Sequence, residues 1–417
     1  MIINDNNIQM MKTKVLLLIM LLSLSALAQN KPYITKVYDF MPAPGQFVNA
    51  SPKYNVGEPR DSVIARAEKA ICGSTHIDEG ELPDGTIVYD TTIVVKPGLI
   101  SLGSFGGYVV FGFDHPVVNV TGEKDFQVFG NAFGSDSLVV SGGSCEPGIV
   151  MVSRDVNGNG VPDDPWYELA GSEYNNPRTQ KQFSINYYKP DENHTAVPGA
   201  SPAITDVEYI YWTSNATDSV NEGYIPKNAF HTQSYWPGWA DGETLTFTGT
   251  KLPNNASNEN ETGQEYWVQY YFGWGYVDNR PDYGYGYVSG VQQSNQNLGF
   301  DIGWAVDDTG APKHLPQVDF IKVYCGMMQQ CGWLGETSTE VCGGIDLHPD
   351  AVAESVPSIT GDVTGDEMVD IEDVNAAINI ILKVVAVDDY PGNADMNGDN
   401  VIDVEDVNAI INVILKI

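Results

Sequence analysis

Cationic side chains are scarce in this chain: 21 Lys and Arg stand against 55 Asp and Glu, a formal net charge of −34 over 417 residues. That balance repels a phosphate backbone and an anionic bilayer. Nucleic acid and acidic membrane surfaces are therefore poor partners, and neutral sugars, cations or basic proteins fit better. Histidine is thin as well, with six residues (76, 115, 194, 231, 314 and 348) that share no ligand spacing. No His-Glu-x-x-His pair, Gly-x-Ser-x-Gly elbow or phosphate-binding glycine loop occurs, which leaves the corresponding chemistries without a motif. A carboxylate pair for glycoside hydrolysis is defined by distance rather than spacing, so that option stays open with no two acids to name. Cysteines stand only at 72, 145, 325, 331 and 342. Without a Cys-x-x-Cys pair structural zinc is not expected, and an odd count leaves at least one thiol over. Disulfides among the close trio 325, 331 and 342, or buried thiols, are both compatible with this spacing.

Long apolar runs are also missing, with one exception near the start. Lys12 and Lys14 lead into the apolar run 15–22, and Ala26 and Ala28 supply small residues for cleavage. This pattern predicts a signal peptide over 1–28, a true start at Met10 or Met11, and a secreted or cell-surface chain beginning at Gln29. The first cysteine is Cys72, so no lipid-anchor cysteine is expected. No later stretch reaches the length of a transmembrane segment.

What the chain does have is a duplicated acidic pattern at its C-terminal end. Asp362, Thr364, Asp366, Met368, Asp370 and Asp373 recur as Asp395, Asn397, Asp399, Val401, Asp403 and Asp406. These fall at positions 1, 3, 5, 7, 9 and 12 of a twelve-residue loop, where calcium takes side-chain oxygens and, at position 7, a backbone carbonyl. Each loop runs into an apolar stripe at helical spacing, Val374, Ile378 and Ile381, then Val407, Ile411 and Ile414. Pro357 and Pro391 lie where an EF-hand would have its entering helix. A duplicated loop–helix unit without entering helices, closed by Asp rather than Glu, resembles a dockerin module. The resemblance covers about 358–417. It implies calcium as cofactor and docking of 361–417 to a cohesin-like or other surface protein. It assigns partner recognition to loop positions 10 and 11, here Ile371 and Glu372, then Val404 and Glu405. The family often has small hydroxyl residues there, so this chain departs from the familiar cohesin pattern.

Between these ends the texture is all-β. Short β-branched and aromatic runs near 107–113, 126–129, 148–153, 183–188, 243–248, 300–306 and 317–324 are broken by Gly, Asn, Asp and Pro. They predict a β-sandwich of jelly-roll type with long loops over 29–350, interrupted by one helix near 61–70 that Asp61 could cap. A split near 190–202 into two domains is the alternative. A linker at 351–360 precedes the small all-α module at 361–417. The segments 42–49, 106–114, 146–153, 166–171 and 333–338 resemble a family of secreted cell-surface proteins from Gram-negative gut bacteria, which implies a surface location and a sandwich fold.

Two stretches of this middle region have chemistry of their own. Asp155, Asn157, Asn159, Val161 and Asp163 repeat calcium-loop positions 1, 3, 5, 7 and 9, with Gly160 at the sixth; Asp164 competes for the ninth, and Glu168 could close the shell. The rival reading is a hairpin loop in which Asn-Gly pairs supply turn geometry. The aromatic stretch 265–287 has glycines around Trp274 and Tyr276, which suggest displayed rings. With Asp278, Asn279 and Arg280 for hydroxyl groups, these would form a glycan site. Its first half, with Trp267, Tyr270 and Phe272, is expected to be buried along a strand with a bulge.

The expectation from these readings is a secreted, calcium-binding surface protein whose sandwich binds an extracellular ligand, most simply a glycan, and whose C-terminal module docks it. A polysaccharide-degrading hydrolase or lyase carrying a dockerin is the first alternative, and a non-catalytic adhesion or scaffold protein the second. No catalytic residue is singled out.

Overall fold

Three apolar runs form the middle of the molecule because both of their faces find cover. In the computed structural model, which describes residues 30–73, 80–81, 87–88, 98–134, 142–216, 220–260, 262–263, 265–280, 298–353, 360–365, 368–385, 394–399 and 401–416, these runs pair as antiparallel strands. β1 (Lys36–Met41), β2 (Tyr108–Gly112), β3 (Gly148–Ser153) and β4 (Trp166–Leu169) come before β5 (Gln180–Tyr188), β6 (Ile204–Ser214), β7 (Glu222–Asn228) and β8 (Thr244–Lys251). β9 (Ala305–Val306) and β10 (Phe320–Cys325) follow. One sheet has the order β1-β2-β10-β3-β4-β9, and a second has β7-β6-β5-β8. Val150 stands opposite Val323 and Val152 opposite Ile321, and all four are buried. A strand covered on both sides reads as a continuous apolar run rather than an alternating one.

The second sheet alternates instead. Phe183, Ile185 and Tyr187 are buried while Ser184, Asn186 and Tyr188 between them are less so, the period of two expected of a strand with one covered face. That inner face meets the first sheet. Phe105 packs edge-on against Phe183 at 4.9 Å, the Tyr187 hydroxyl donates to Phe105 O at 3.1 Å, and the Thr250 N–H donates to the Tyr324 hydroxyl at 2.9 Å. One apolar core draws on both sheets. The main body is thus mostly β and antiparallel, as its sequence texture predicts.

α1 (Arg60–Ile71) lies where a helix is expected and buries Val63, Ala67 and Ile71. Its N-cap is Pro59, with no capping side chain, and Asp61 sits in the first turn. The expected Asp61 cap is therefore replaced by a favourable charge near the positive end of the helix dipole. None of the five cysteines forms a disulfide; Cys145, Cys325, Cys331 and Cys342 are buried and Cys72 partly so. Burial pushes the thiols of Cys145, Cys325 and Cys331 up to about 12.

The C-terminal repeats build a separate core. α2 (Ile371–Ile381) and α3 (Val404–Leu415) pack Val374, Ala377, Val407 and Ile410 together with Val363 and Ala394 from their loops. Each helix starts with a capping box: Asp370 with Asp373, and Asp403 with Asp406. Three α-helices occur among the described residues, and no helix there is long and apolar enough to cross a membrane. The expected signal peptide lies outside the described residues.

Candidate functional sites: acidic loops, a docking face and a cleft

The acidic loops at 155–163 and 395–406 share one hydrogen-bond ladder. The Asn159 N–H donates to Asp155 Oδ1 and to Asn157 Oδ1, both at 3.0 Å, and the Val161 N–H donates to Asn159 Oδ1 at 2.7 Å. At the far end of the chain the Asp399 N–H donates to Asp395 Oδ1 at 3.2 Å and to Asn397 Oδ1 at 2.9 Å. The Val401 N–H then donates to Asp399 Oδ1 at 2.8 Å. Positions 1, 3 and 5 are thereby turned inward in the same way.

A glycine at the fourth position makes the bend. Gly158, Gly365 and Gly398 have φ of 69°, 70° and 77°, a left-handed backbone that a side chain resists. Gly365 and Gly398 donate to Asp362 Oδ1 and Asp395 Oδ1 at 2.6 and 2.7 Å. The sequence shows this glycine in all three loops, a shared mark that attention to the sixth position passes over.

Of the two adjacent acids, Asp163 rather than Asp164 turns toward the side chains of the loop. Its carboxylate accepts from Asn157 Nδ2 at 3.3 Å and from Asn159 Nδ2 at 3.2 Å. Asp164 turns back to accept the Val156 N–H, and burial raises its carboxyl to about 6. Glu168 does not close the shell: it accepts from Thr250 Oγ1 at 2.6 Å, between the two sheets. The expected outer ligand is corrected because Glu168, on β4, faces the core while the loop projects outward.

In the repeats, the twelfth-position carboxylates close each loop onto its helix. Asp373 Oδ1 accepts the N–H groups of Val363 and Thr364 and the Thr364 hydroxyl, and Oδ2 accepts the Asp370 N–H. Asp406 does the same with Met396, Asn397 and Asp403. Both are fully buried. Asp362 is buried as well, while Met368 and Val401, whose carbonyls stand at position 7, lie exposed. Asp366 falls outside the described residues. The polar side chains of these loops are carboxylates, amides and a hydroxyl, a donor set that suits a hard cation such as Ca²⁺ and no soft metal.

The first repeat is held against the main body at those same positions. Lys313 Nζ lies 3.1 Å from Asp370 Oδ2 and 3.6 Å from Glu372 Oε2, and the Tyr167 hydroxyl donates to Glu372 at 3.0 Å. Arg154 Nη1 donates to the carbonyls of Thr364 and Gly365 at 3.3 and 3.1 Å. Arg154 immediately precedes the 155–163 loop, so two acidic loops meet through one arginine. A cavity of about 280 Å³ between them is lined by Asp163, Asp164, Glu372 and Asn375. Glu372, at a position that the dockerin resemblance gives to an external partner, thus contacts its own chain.

The aromatic stretch is arranged in the reverse of the expected order. Val268 and Gln269 are buried, but Trp267 and Tyr270 are only half so, and Tyr276, Asp278 and Asn279 are buried. Val277 exchanges both backbone bonds with Gly148, and the Asp278 carbonyl accepts the Glu146 N–H, which draws 275–279 beneath the start of β3. Tyr276 fits because Gly171 opposite it has no side chain; a Cβ there would stand 2.6 Å from the ring. Asn279 brackets Phe272 with two backbone bonds, and Arg280 donates to Phe272 O and Gly273 O while lying 3.7 Å over the Tyr271 ring. Trp274 keeps 38% exposure but leans on Trp304 at 4.4 Å. These residues build a folded loop, so the expected open sugar platform is corrected.

Asp278 belongs to a cluster that sequence reading did not bring together. Carboxylate oxygens of Glu146, Asp278 and Glu340 all lie within 4.8 Å of one another. Asp278 accepts the N–H groups of Asn131, Ala132 and Glu340 at 2.8, 2.7 and 3.0 Å. Burial, reinforced by the charges of Glu146 and Asp278, pushes the Glu340 carboxyl well above the usual carboxylate range.

A cleft of about 490 Å³ opens beside the second sheet. Trp212 on β6 stands opposite Gly223 on β7, and its indole lies across that glycine; a Cβ there would be 2.8 Å from the ring. The cleft also contains Asn254 and Gln330, and Gln330 Oε1 is buried with no hydrogen-bond donor among the described residues. No spacing in the sequence connects these positions, which lie on three separate segments. No family model and no curated protein matches this chain.

Proposed function

We propose that this chain is a secreted, calcium-binding surface protein: a β-sandwich that binds a glycan without cleaving it, with a dockerin-like module clamped to it. The observation that carries the reading is the ladder shared by 155–161 and 395–401, since two stretches so far apart in sequence fold their acidic oxygens inward in the same way. Asp155, Asn157, Asn159 and Asp163 would hold one calcium ion, Asp395, Asn397, Asp399 and Asp403 another, and Asp362, Thr364 and Asp370 would contribute to a third. Calcium supplies positive charge that offsets crowded carboxylates, and by binding the folded loops it stabilises a small core. The module docks first on its own sandwich through Glu372, Lys313 and Tyr167. Docking to a cohesin-like or other surface protein would use what that contact leaves over.

The glycan goes to the Trp212 cleft. A flat indole, an amide side chain and a buried acceptor without a donor match the ring face and hydroxyl groups of a sugar. Glycoside hydrolysis needs two carboxylates facing across one cleft. The close acids found here, Glu146, Asp278 and Glu340, are engaged with each other and with backbone, which favours binding over cleavage. Electrophoresis of the full chain through gels cast with single polysaccharides, calcium present, tests this. Slowed migration with intact polymer supports it, and a cleared zone at the band overturns it in favour of an enzyme.

A further inference from the structure

Gln269 and Thr337 come from segments far apart in sequence and meet side chain to side chain inside the main body. Gln269 lies on the short strand Trp267–Tyr270, and Thr337 follows the 3-10 turn Gly332–Leu334; both are buried, at 5% and 1% exposure. Gln269 Nε2 donates to Thr337 Oγ1 at 3.0 Å and to Glu146 Oε1 at 3.3 Å. One amide nitrogen therefore stands between a hydroxyl and a carboxyl, and the amide carbon is a single bond from that nitrogen. Burial raises the Glu146 carboxyl above its ordinary range, which favours its protonated form. Gln329 Nε2 also donates to Thr337 Oγ1, at 2.8 Å, but the Gln329 amide is engaged at both ends by Asn255. The hydroxyl is thus fixed by two amides, and only the nitrogen of Gln269 has the Glu146 carboxyl beside it as well.

We propose that Thr337 and Gln269 join in an ester that crosslinks the chain to itself. Thr337 Oγ1 attacks Gln269 Cδ; the Oγ1–Cδ bond forms and the Cδ–Nε2 bond breaks. The hydroxyl proton ends on the nitrogen, which departs as ammonia, and Glu146 passes that proton from its place beside the nitrogen. Hydroxyl and amide become ester and ammonia, so no oxidant, cofactor or further reactant is consumed. Holding the two groups together in a dry site does what activation does elsewhere, and the same burial then shields the ester from water. The five cysteines form no disulfide, and the ester gives this chain a covalent closure of another kind, one that restricts the unfolded state. This inference is independent of the calcium and glycan readings above.

Tryptic digestion of the full chain followed by tandem mass spectrometry tests it. Gln269 falls in the fragment Leu252–Lys313 and Thr337 in Val323–Lys383, since Arg280 precedes a proline and resists trypsin. The expected result is a linked pair lighter than the two fragments together by about 17 Da, the ammonia lost. Neutral hydroxylamine, which opens esters and spares amides, should separate the pair. Thr337→Val is expected to release both fragments at full mass, and Thr337→Ser, which keeps a hydroxyl, to retain the link. Glu146→Gln is expected to slow formation about a hundredfold, so that freshly purified variant is mostly unlinked. Two separate fragments at full mass from the parent chain overturn the ester. A loss of about 17 Da confined to Val323–Lys383 moves the bond to Gln329 and overturns the assignment to Gln269. A linked pair that persists in Thr337→Val overturns the hydroxyl as nucleophile, and linking at the parent rate in Glu146→Gln overturns Glu146 as proton carrier.

Discussion

Lys313 reaches Asp370 at 3.1 Å with only 4% of its surface exposed, and Asp370 is the ninth residue of the first acidic loop. A main-body cation thus sits against the carboxylate at the ninth position of that loop. The same ammonium lies 3.6 Å from Glu372, and Arg154 caps two carbonyls of the loop. The first loop is therefore bound twice over by its own chain, while in the second loop the Asp403 N–H donates to Asp406 and the Glu405 N–H to Asp403, within the repeat.

Removing this lysine should loosen the repeats from the main body. Lys313→Ala leaves Asp370 and Glu372 without their cation. Because those acids are about a third exposed, the change should cost only about 1–2 kcal/mol. Hydrogen exchange checks it: amides 371–381 should lose protection while those of β3 and β10 keep theirs. Equal protection in the variant would mean that the contact does not hold the repeats.

Stability should fall as the solution becomes alkaline. Glu336 is buried, its Oε2 has no donor among the described residues, and burial raises its carboxyl from 4.5 to about 8. The fold therefore prefers the neutral acid. Its contribution is complete below about 4.5, where both states are protonated, and is lost progressively until pH passes about 8. Glu336→Gln keeps an acceptor for the Gln46 N–H, now 2.5 Å from Oε1, and removes the titration. Denaturant midpoints between pH 5 and 9 should decline less steeply for the variant, and parallel curves would refute this.

Asp278 should prove structural. Its carboxylate satisfies three backbone N–H groups from two segments. Asp278→Ala leaves them buried without a partner, at about 1–3 kcal/mol each. A fall in Tm of roughly 5 °C or more is expected. A variant as stable as the parent would return Asp278 to the surface role that its neighbours in sequence first suggest.

Much of the architecture was legible because period and turn residues report one-dimensional facts. The all-β texture, the helix at 60–71 and the two C-terminal stripes lie where spacing places them. The 155–163 loop was legible for the same reason, since its oxygens alternate along one short segment. What spacing could not convey is which side of a segment is covered. Glycines around Trp274 and Tyr276 read as a display loop, yet Gly171, a hundred residues earlier, opens the space that buries Tyr276. The Glu146, Asp278 and Glu340 cluster and the Trp212 cleft are likewise products of packing between distant strands, and no local pattern marks them.

The central claim is that calcium organises the loops, and one measurement addresses it directly. Hydrogen exchange of the full chain, in millimolar calcium and again after chelation, reads 371–381, 404–415 and 155–163 separately. The account predicts that chelation strips protection from both C-terminal helices and from the 155–163 loop while β2, β3 and β10 stay protected. Identical exchange in the two conditions would contradict it, and would leave these loops as hydrogen-bonded turns and no more.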